Sequence, residues 1–326
     1  MSSLASSATD AVHLQRTRIV RLNRFDARAD RLLRIVLLAA GVLICLLLVA
    51  ITYQLIHGAS LAISRYGIGF IGRTQWIPNL KEFGAWPELY GTLITSVFSL
   101  IFATGLGIAI GLFLSMLAPR SVAAVVGPLV EMLAAIPSIV IGLIGVYLIA
   151  PFVRSTLEAP LHSAFGFLPF FGPAEPVGNS LFTGILVLTI MVLPIIAALT
   201  RDVFLTVPQE LRDGAEALGA TRWEVIRGVV LPTTVSGVTA SCMLGFGRAC
   251  GEAIALAFVV GGAPNAPSDL FKAGNTLAAM IVNQFSEPVN ALHLSSMFYL
   301  ALVLLALELM VNLIARVVTR GARRAW

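Results

Sequence analysis

Arg248 and Glu252 stand out chemically, because both fall in a long apolar run, 233–260, and are four positions apart. On a continuous helix that spacing puts two side chains on one face. An arginine inside a bilayer costs about 2.5–3.5 kcal/mol on insertion scales, so it faces protein or water rather than lipid. Two roles suit such a pair. The charges can neutralise each other and anchor helix packing. Alternatively, Arg248 can offer its planar fork to an oxyanion on a substrate path, while Glu252 holds it and tempers its charge. Glu131 and Glu308 also lie in apolar runs, with no partner visible in the sequence.

Other chemistries lack their residues. No GxxxxGKS/T loop occurs and the only lysines are Lys81 and Lys272, so the chain supplies no ordinary P-loop ATPase site. Gly105, Gly107 and Gly111, like Gly245, Gly247 and Gly251, have GxGxxxG spacing with no strand before them. That pattern suits close helix approach better than a dinucleotide. Cys45, Cys242 and Cys250 sit in apolar runs without a CxxC pair and read as small core hydrophobes. His13, His57, His162 and His293 are scattered without metal-ligand spacing. No cofactor, metal or nucleophile–base constellation is expected in this chain.

The elements that must hold these residues are membrane helices. Of 326 residues, 58% are hydrophobic and only 12% charged, a composition foreign to soluble domains. A span needs roughly 20 apolar residues. Such windows lie near 35–56, 92–118, 122–150, 181–200, 233–260 and 292–318. Six helices follow; five or seven are the alternatives, with 122–150 the most open to miscounting because Glu131 and Pro137 interrupt it. The net charge of +5 does not point to nucleic acid, because the basic residues are distributed as topology markers. With the N-terminus in the cytosol, five of the 22 Lys and Arg (Arg65, Arg73, Lys81, Arg154, Lys272) fall outside and Arg248 in a span. The remainder lie inside, so both termini are expected in the cytosol. Residues 1–34 read as a basic cytosolic tail, disordered or lying on anionic lipid. The first span and an external, turn-rich segment follow to residue 90, with aromatics suited to an interfacial belt. Residues 91–318 carry the remaining spans and 319–326 a short cytosolic tail. Residues 151–179 are expected as a second external loop.

Between the fourth and fifth spans, residues 201–232 form a polar island. Pro208 suits a first helical turn. Leu211, Ala215 and Leu218 recur at i, i+4, i+7 and give the helix an apolar stripe. Gly219 is a natural C′ residue, free to take positive φ. Thr221 and Glu224 can then form a capping box that starts a second helix, with Trp223, Ile226 and Val230 as its apolar positions. An amphipathic segment there must dock either on its own bundle or on a partner.

The segment resembles the coupling loop of ABC-importer permeases, whose pattern is Glu-Ala-Ala, three residues, Gly, about nine residues, then an apolar residue and Pro. Asp213-Gly214-Ala215 stands at the Glu-Ala-Ala place, Gly219 at the glycine, and Leu231-Pro232 at the end. Asp for Glu keeps the charge; Gly214 for Ala weakens the helix by roughly 1 kcal/mol. The run Phe70-Ile71-Gly72-Arg73-Thr74-Gln75-Trp76-Ile77-Pro78, then Phe83-Gly84, Pro87 and Gly91-Thr92-Leu93-Ile94-Thr95-Ser96, is similar to the phosphate-specific ABC permeases. Leu117-Ala118-Pro119 and Glu131 through Gly142 extend the likeness, which runs from about residue 66 to 318. It is closer to the PstC-type subunit than to its PstA-type partner.

The resemblance implies an all-α integral membrane protein, six transmembrane helices with a cytosolic coupling-helix loop, the type I ABC importer permease fold. It implies a multi-pass permease of the bacterial inner membrane importing phosphate by alternating access. Asp213, Ala215, Leu218, Gly219, Ala220, Leu231 and Pro232 would couple it to two PstB-type ATPase subunits, which would carry the ATP and Mg. A PstA-type permease would pair with it and a PstS-type phosphate-binding protein would dock outside. Phosphate permeases also have an Arg and a Glu in the span that holds Arg248 and Glu252, which favours the pathway role. Alternatives are an importer of another oxyanion and an ion-coupled secondary carrier.

Overall fold

Apolar segments with no water to satisfy their amides close their hydrogen bonds internally, so helices dominate the chain. The computed structural model describes the backbone of residues 2–324 and the side chains of residues 30–317. No strand forms among the described residues; two isolated bridges join Ile77 to Glu82 and Gly261 to Gly274. Six helical stretches are long and apolar enough to cross a membrane: Asp30–Gly72, Trp86–Leu117, Ser138–Phe165, Leu181–Leu205, Arg222–Cys250 and Ala291–Val317. The expected number is therefore found, but two of the expected positions change.

The chain divides into two units, residues 1–57 and 58–326. The first is a single helix, the major part of α1 (Ser2–Tyr66). Its backbone is helical from Ser2, where the sequence suggested a tail; the arginines before Asp30 lie outside the described side chains. Cys45, expected as a core residue, is exposed.

The second unit is built around α7 (Leu181–Leu205), the most buried span. It packs between α2 (Trp86–Leu112) and α10 (Leu231–Cys250), and small residues set the distances. A Cβ on Gly107 would lie 2.8 Å from Ile196 and one on Gly245 would lie 2.9 Å from the same side chain. Gly111 lies just as tightly against Thr200, whose hydroxyl donates to the Gly107 carbonyl at 3.4 Å. Gly105, from the same motif, faces open space. Close approach, the packing role inferred from the spacing, belongs to three of the six motif glycines.

The window 122–150 is not one span. α3 (Arg120–Ala134) ends before Pro137, which sits in extended backbone and starts α4 (Ser138–Ile144). Helix then continues through α5 (Ala150–Val153) and α6 (Ala159–Phe165), joined by π turns at Gly145–Ile149 and Arg154–Glu158. The third apolar helix is thus Ser138–Phe165. The external loop expected over 151–179 shrinks to the residues after Phe165, and Arg154 belongs to the helix. Pro151 and Pro160 each directly follow one of these π turns, where the regular hydrogen-bond ladder is already interrupted.

The glycine- and aromatic-rich segment after Tyr66 also departs from expectation. Trp76 and Phe83 are 4% and 1% exposed, so they are core residues rather than an interfacial belt. Phe83 stacks on His293, and the Trp76 indole N–H donates to Gln284 at 3.0 Å. Gln284 ends α12 (Leu277–Gln284), and the Thr276 hydroxyl caps it by accepting from the Ala279 amide. α13 (Ala291–Arg324) completes the unit.

Candidate functional site

Two sites emerge, one at each end of a single helical stretch, Arg222–Cys250. At its start lies the segment expected to couple. α8 (Gln209–Ala217) follows Pro208, and Leu218 closes it. Gly219 then takes φ +89°, the left-handed backbone that glycine adopts freely. Its amide donates to Glu216 O at 2.9 Å and that of Ala220 to Ala215 O at 3.1 Å, satisfying carbonyls the helix end leaves open. α9 (Arg222–Val225) begins with the expected capping box, Thr221 and Glu224 each satisfying the other's amide. The second helix is not short, however. A π turn, Ile226–Val230, carries α9 straight into α10. Leu231 and Pro232, expected to end the segment, lie inside this continuous stretch, directly after the π turn.

The apolar stripe divides. Ala215, Ala220 and Leu231 pack on the buried cluster Phe204, Val207, Val225 and Val230. Leu211 and Trp223 are exposed, and Leu218 is 91% exposed. The inner residues fix the segment on its own bundle, while the outer three and Asp213 present an uncovered surface.

At the other end, the structure separates two residues the sequence placed on one helix. α10 stops at Cys250, with Gly251 as its cap, and α11 (Ile254–Val259) starts anew. Arg248 sits in the last turn of α10, where a cation complements the exposed carbonyls. Glu252 lies in the joint, 7% exposed, and its Oε1 accepts from the Ala255 amide at 3.3 Å. The guanidinium and carboxylate still meet, at a long 3.9 Å. They face each other across a helix break, not along a helix face.

Both line a cavity of about 570 Å³ with Glu308 and Asn312 of α13 and Ile195 of α7. Gly251 makes room for the Glu308 carboxylate: a Cβ there would lie 3.1 Å from its Oε1. Glu308 is therefore the residue the sequence did not assign. Its only signal was a carboxylate in an apolar run, which said nothing of its neighbours. Glu131, the other unassigned acid, bonds Arg201 at 2.9 Å and does not reach this cavity. Arg201, where the polar island was expected to begin, still lies within α7. Cys242, Cys250 and His293 are buried structural residues, as their surroundings suggested.

The cavity offers one fork of donors flanked by two carboxylates. An anion can be held by Arg248, but the acids prevent a deep electrostatic well. The segment around Gly219 offers an uncovered surface, and α10 joins the two. From Leu231 to Arg248 is roughly 25 Å of helix.

Comparison with known proteins places this geometry. Residues 107–324 match the family model described as binding-protein-dependent transport system inner membrane component. The phosphate transport system permease protein PstC of Mesorhizobium japonicum is 39% identical over 319 residues, covering 96% of either chain. That of Pasteurella multocida is 40% identical over 279 residues, covering 85% of this chain and 87% of its own. A chain of a bacterial alginate ABC transporter superposes with a TM-score of 0.56 at 17% identity, covering 90% of this chain and 97% of that one. A chain of the inward-facing MetNI methionine ABC transporter gives 0.54 at 21% identity, covering 72% and 93%. The fold is that of ABC-importer permeases, a multi-pass membrane component that works with other subunits and is not itself an enzyme. The chain belongs to the binding-protein-dependent transport system inner membrane components and, within them, to the PstC-type phosphate transport system permeases.

Proposed function

We propose that the chain forms one half of the membrane pathway of an ATP-driven phosphate importer. The observation that carries this reading is the single helix joining an uncovered coupling surface at Gly219 to the Arg248 cavity. A displacement of α8 and α9 is transmitted along such a rod to the residues around the anion. Alternating access then needs no further machinery: two arrangements of the bundle open the cavity to one side or the other, and ATP-driven closure biases them.

In this reading a PstA-type permease closes the other half of the path. The uncovered face at Asp213 and Leu218, turned outward by Gly219 and backed by Ala215, Ala220 and the α9–α10 rod, docks on a PstB-type ATPase, and two such subunits carry the ATP and Mg. A PstS-type protein delivers phosphate outside. The chain sits in a bacterial inner membrane with both termini in the cytosol. Arg248 contacts two phosphate oxygens through its fork; Glu252 holds its side chain, and the Glu252 and Glu308 charges weaken its grip, so the anion can leave. Glu252, fixed by the Ala255 amide, links this site to the start of α11.

The test is phosphate uptake by the reconstituted four-component complex with sulfate as competitor. ATP-dependent phosphate uptake that excess sulfate leaves unchanged is expected. Equal uptake of both anions would make the chain a general oxyanion permease, and uptake driven by an ion gradient without ATP would overturn the reading.

A further inference from the structure

A cleft of about 670 Å³ opens between the Ser115–Arg120 turn and the helices α8 and α9. Arg120, Arg212 and Arg222 line it, each from a different element: the first turn of α3, the middle of α8 and the first residue of α9. Like charges brought together from distant parts of a chain repel unless an opposite charge lies between them. Asp213 and Glu216 share the lining, yet none of the three arginines is in an ion pair among the described residues. Arg212 is half-buried. Its Nη1 meets the Met116 sulfur at 3.2 Å, and its Nε is buried without a partner. A thioether is a weak acceptor for a guanidinium.

The cleft has spare donors besides these forks. Pro119 is the N-cap of α3, and no side chain caps the helix. The amides beside Arg120 therefore stay open, at the positive end of a 15-residue helix. The neighbouring α9 differs, since its end is already closed by Thr221 and Glu224.

We propose that this cleft binds a phosphate group, held by the fork of Arg212 with Arg120, Arg222 and the first amides of α3 around it. Several donors converging from three directions suit the oxygens of a tetrahedral anion better than the two of a carboxylate. The group can come from a phospholipid headgroup or from free phosphate. Either way it ties α8 to the end of α2 and the start of α3, and so sets how firmly a displacement of α8 reaches the spans. This goes beyond the proposed transport role and does not depend on the Arg248 cavity.

The experiment compares the assembled, nucleotide-free transporter with its Arg212→Gln and Arg212→Lys variants. All three are placed in nanodiscs of phosphatidylcholine alone or with phosphatidylglycerol. Equilibrium dialysis of inorganic phosphate and native mass spectrometry of retained lipid are the readings. Saturable phosphate binding that weakens about tenfold or more in both variants supports the site with free phosphate as its source. Phosphatidylglycerol retained by the wild type and lost from the variants, with phosphate binding unchanged, supports it with lipid as the source. Equal retention of both in wild type and assembled variants overturns it. Failure of both variants to assemble also overturns it, since the arginines would then belong to subunit docking.

Discussion

At Arg248 a pathway role and a packing role leave different traces. Its separation of 3.9 Å from Glu252 leaves the guanidinium incompletely engaged, and its side chain is 41% exposed to the cavity. Losing a charge-assisted contact costs about 1.5–3 kcal/mol, so Arg248→Gln should cut phosphate uptake roughly 10- to 100-fold while the complex assembles. Loss of assembly instead, restored with transport by adding Glu252→Gln, would make the pair structural. Glu308 gives a sharper case, because its carboxylate accepts no hydrogen bond among the described residues and only its backbone oxygen is engaged, by Asn312. Glu308→Gln removes one of two counter-charges, so phosphate should be retained longer and uptake should fall severalfold without loss of assembly. Unchanged phosphate retention and uptake would remove Glu308 from the pathway. That these three side chains converge was half legible: Arg248 and Glu252 are near neighbours in sequence, whereas Glu308 is brought in by packing of α13 against α10.

At the scale of elements, two glycines make separable predictions. Gly219 has φ +89° and open space where a Cβ would stand, so any substitution there acts through backbone conformation alone. Left-handed backbone costs an L-residue roughly 1–2 kcal/mol, and a β-branched one more. Gly219→Val should leave the spans inserted but misdirect α8, and co-purification with the ATPase subunit should drop. A stable complex with normal transport would reduce Gly219 to an ordinary loop residue. Gly107 is the opposite case, a steric one. Gly107→Ala should destabilise the α2–α7 contact by about 1–3 kcal/mol, because Ile196 occupies the space its methyl needs. Gly105→Ala, facing open space, should be neutral or slightly stabilising. Thermal unfolding in detergent reads both, and equal effects would refute the packing assignment.

For the whole molecule, six helices among the described residues are long and apolar enough to span a membrane, and an even number of crossings would put both ends of the chain on one side. By the positive-inside rule, the excess of arginine at residues 16–34 and 316–324 predicts that this side is the cytosol. Cysteines placed at residues 10 and 322, on a background without Cys45, Cys242 and Cys250, should react only with permeant reagent in intact cells. Labelling of either by an impermeant reagent would reverse the topology. The coupling surface at Leu211, Leu218 and Trp223 would then face outside, and the ATP-driven reading would fall with it.

The sequence by itself determined the helical class, the number of spans and the turn at Gly219, because each is a local property. Hydropathy over about 20 residues decides whether a segment enters the bilayer, and a capping box or a C′ glycine acts within one turn. Only the tertiary structure decided where the third span begins, where the fifth ends and which acids meet which arginines. Hydropathy cannot tell that Pro137 starts a new helix while Pro151 and Pro160 are absorbed, since that depends on what packs beside them. The break at Gly251 is equally silent, because beyond Glu252 the residues are apolar again and hydropathy runs through the joint. Glu131 finds Arg201 and Glu308 joins Arg248 across long sequence separations. A charge in an apolar run shows that a partner or water is needed, but the packing of helices chooses it.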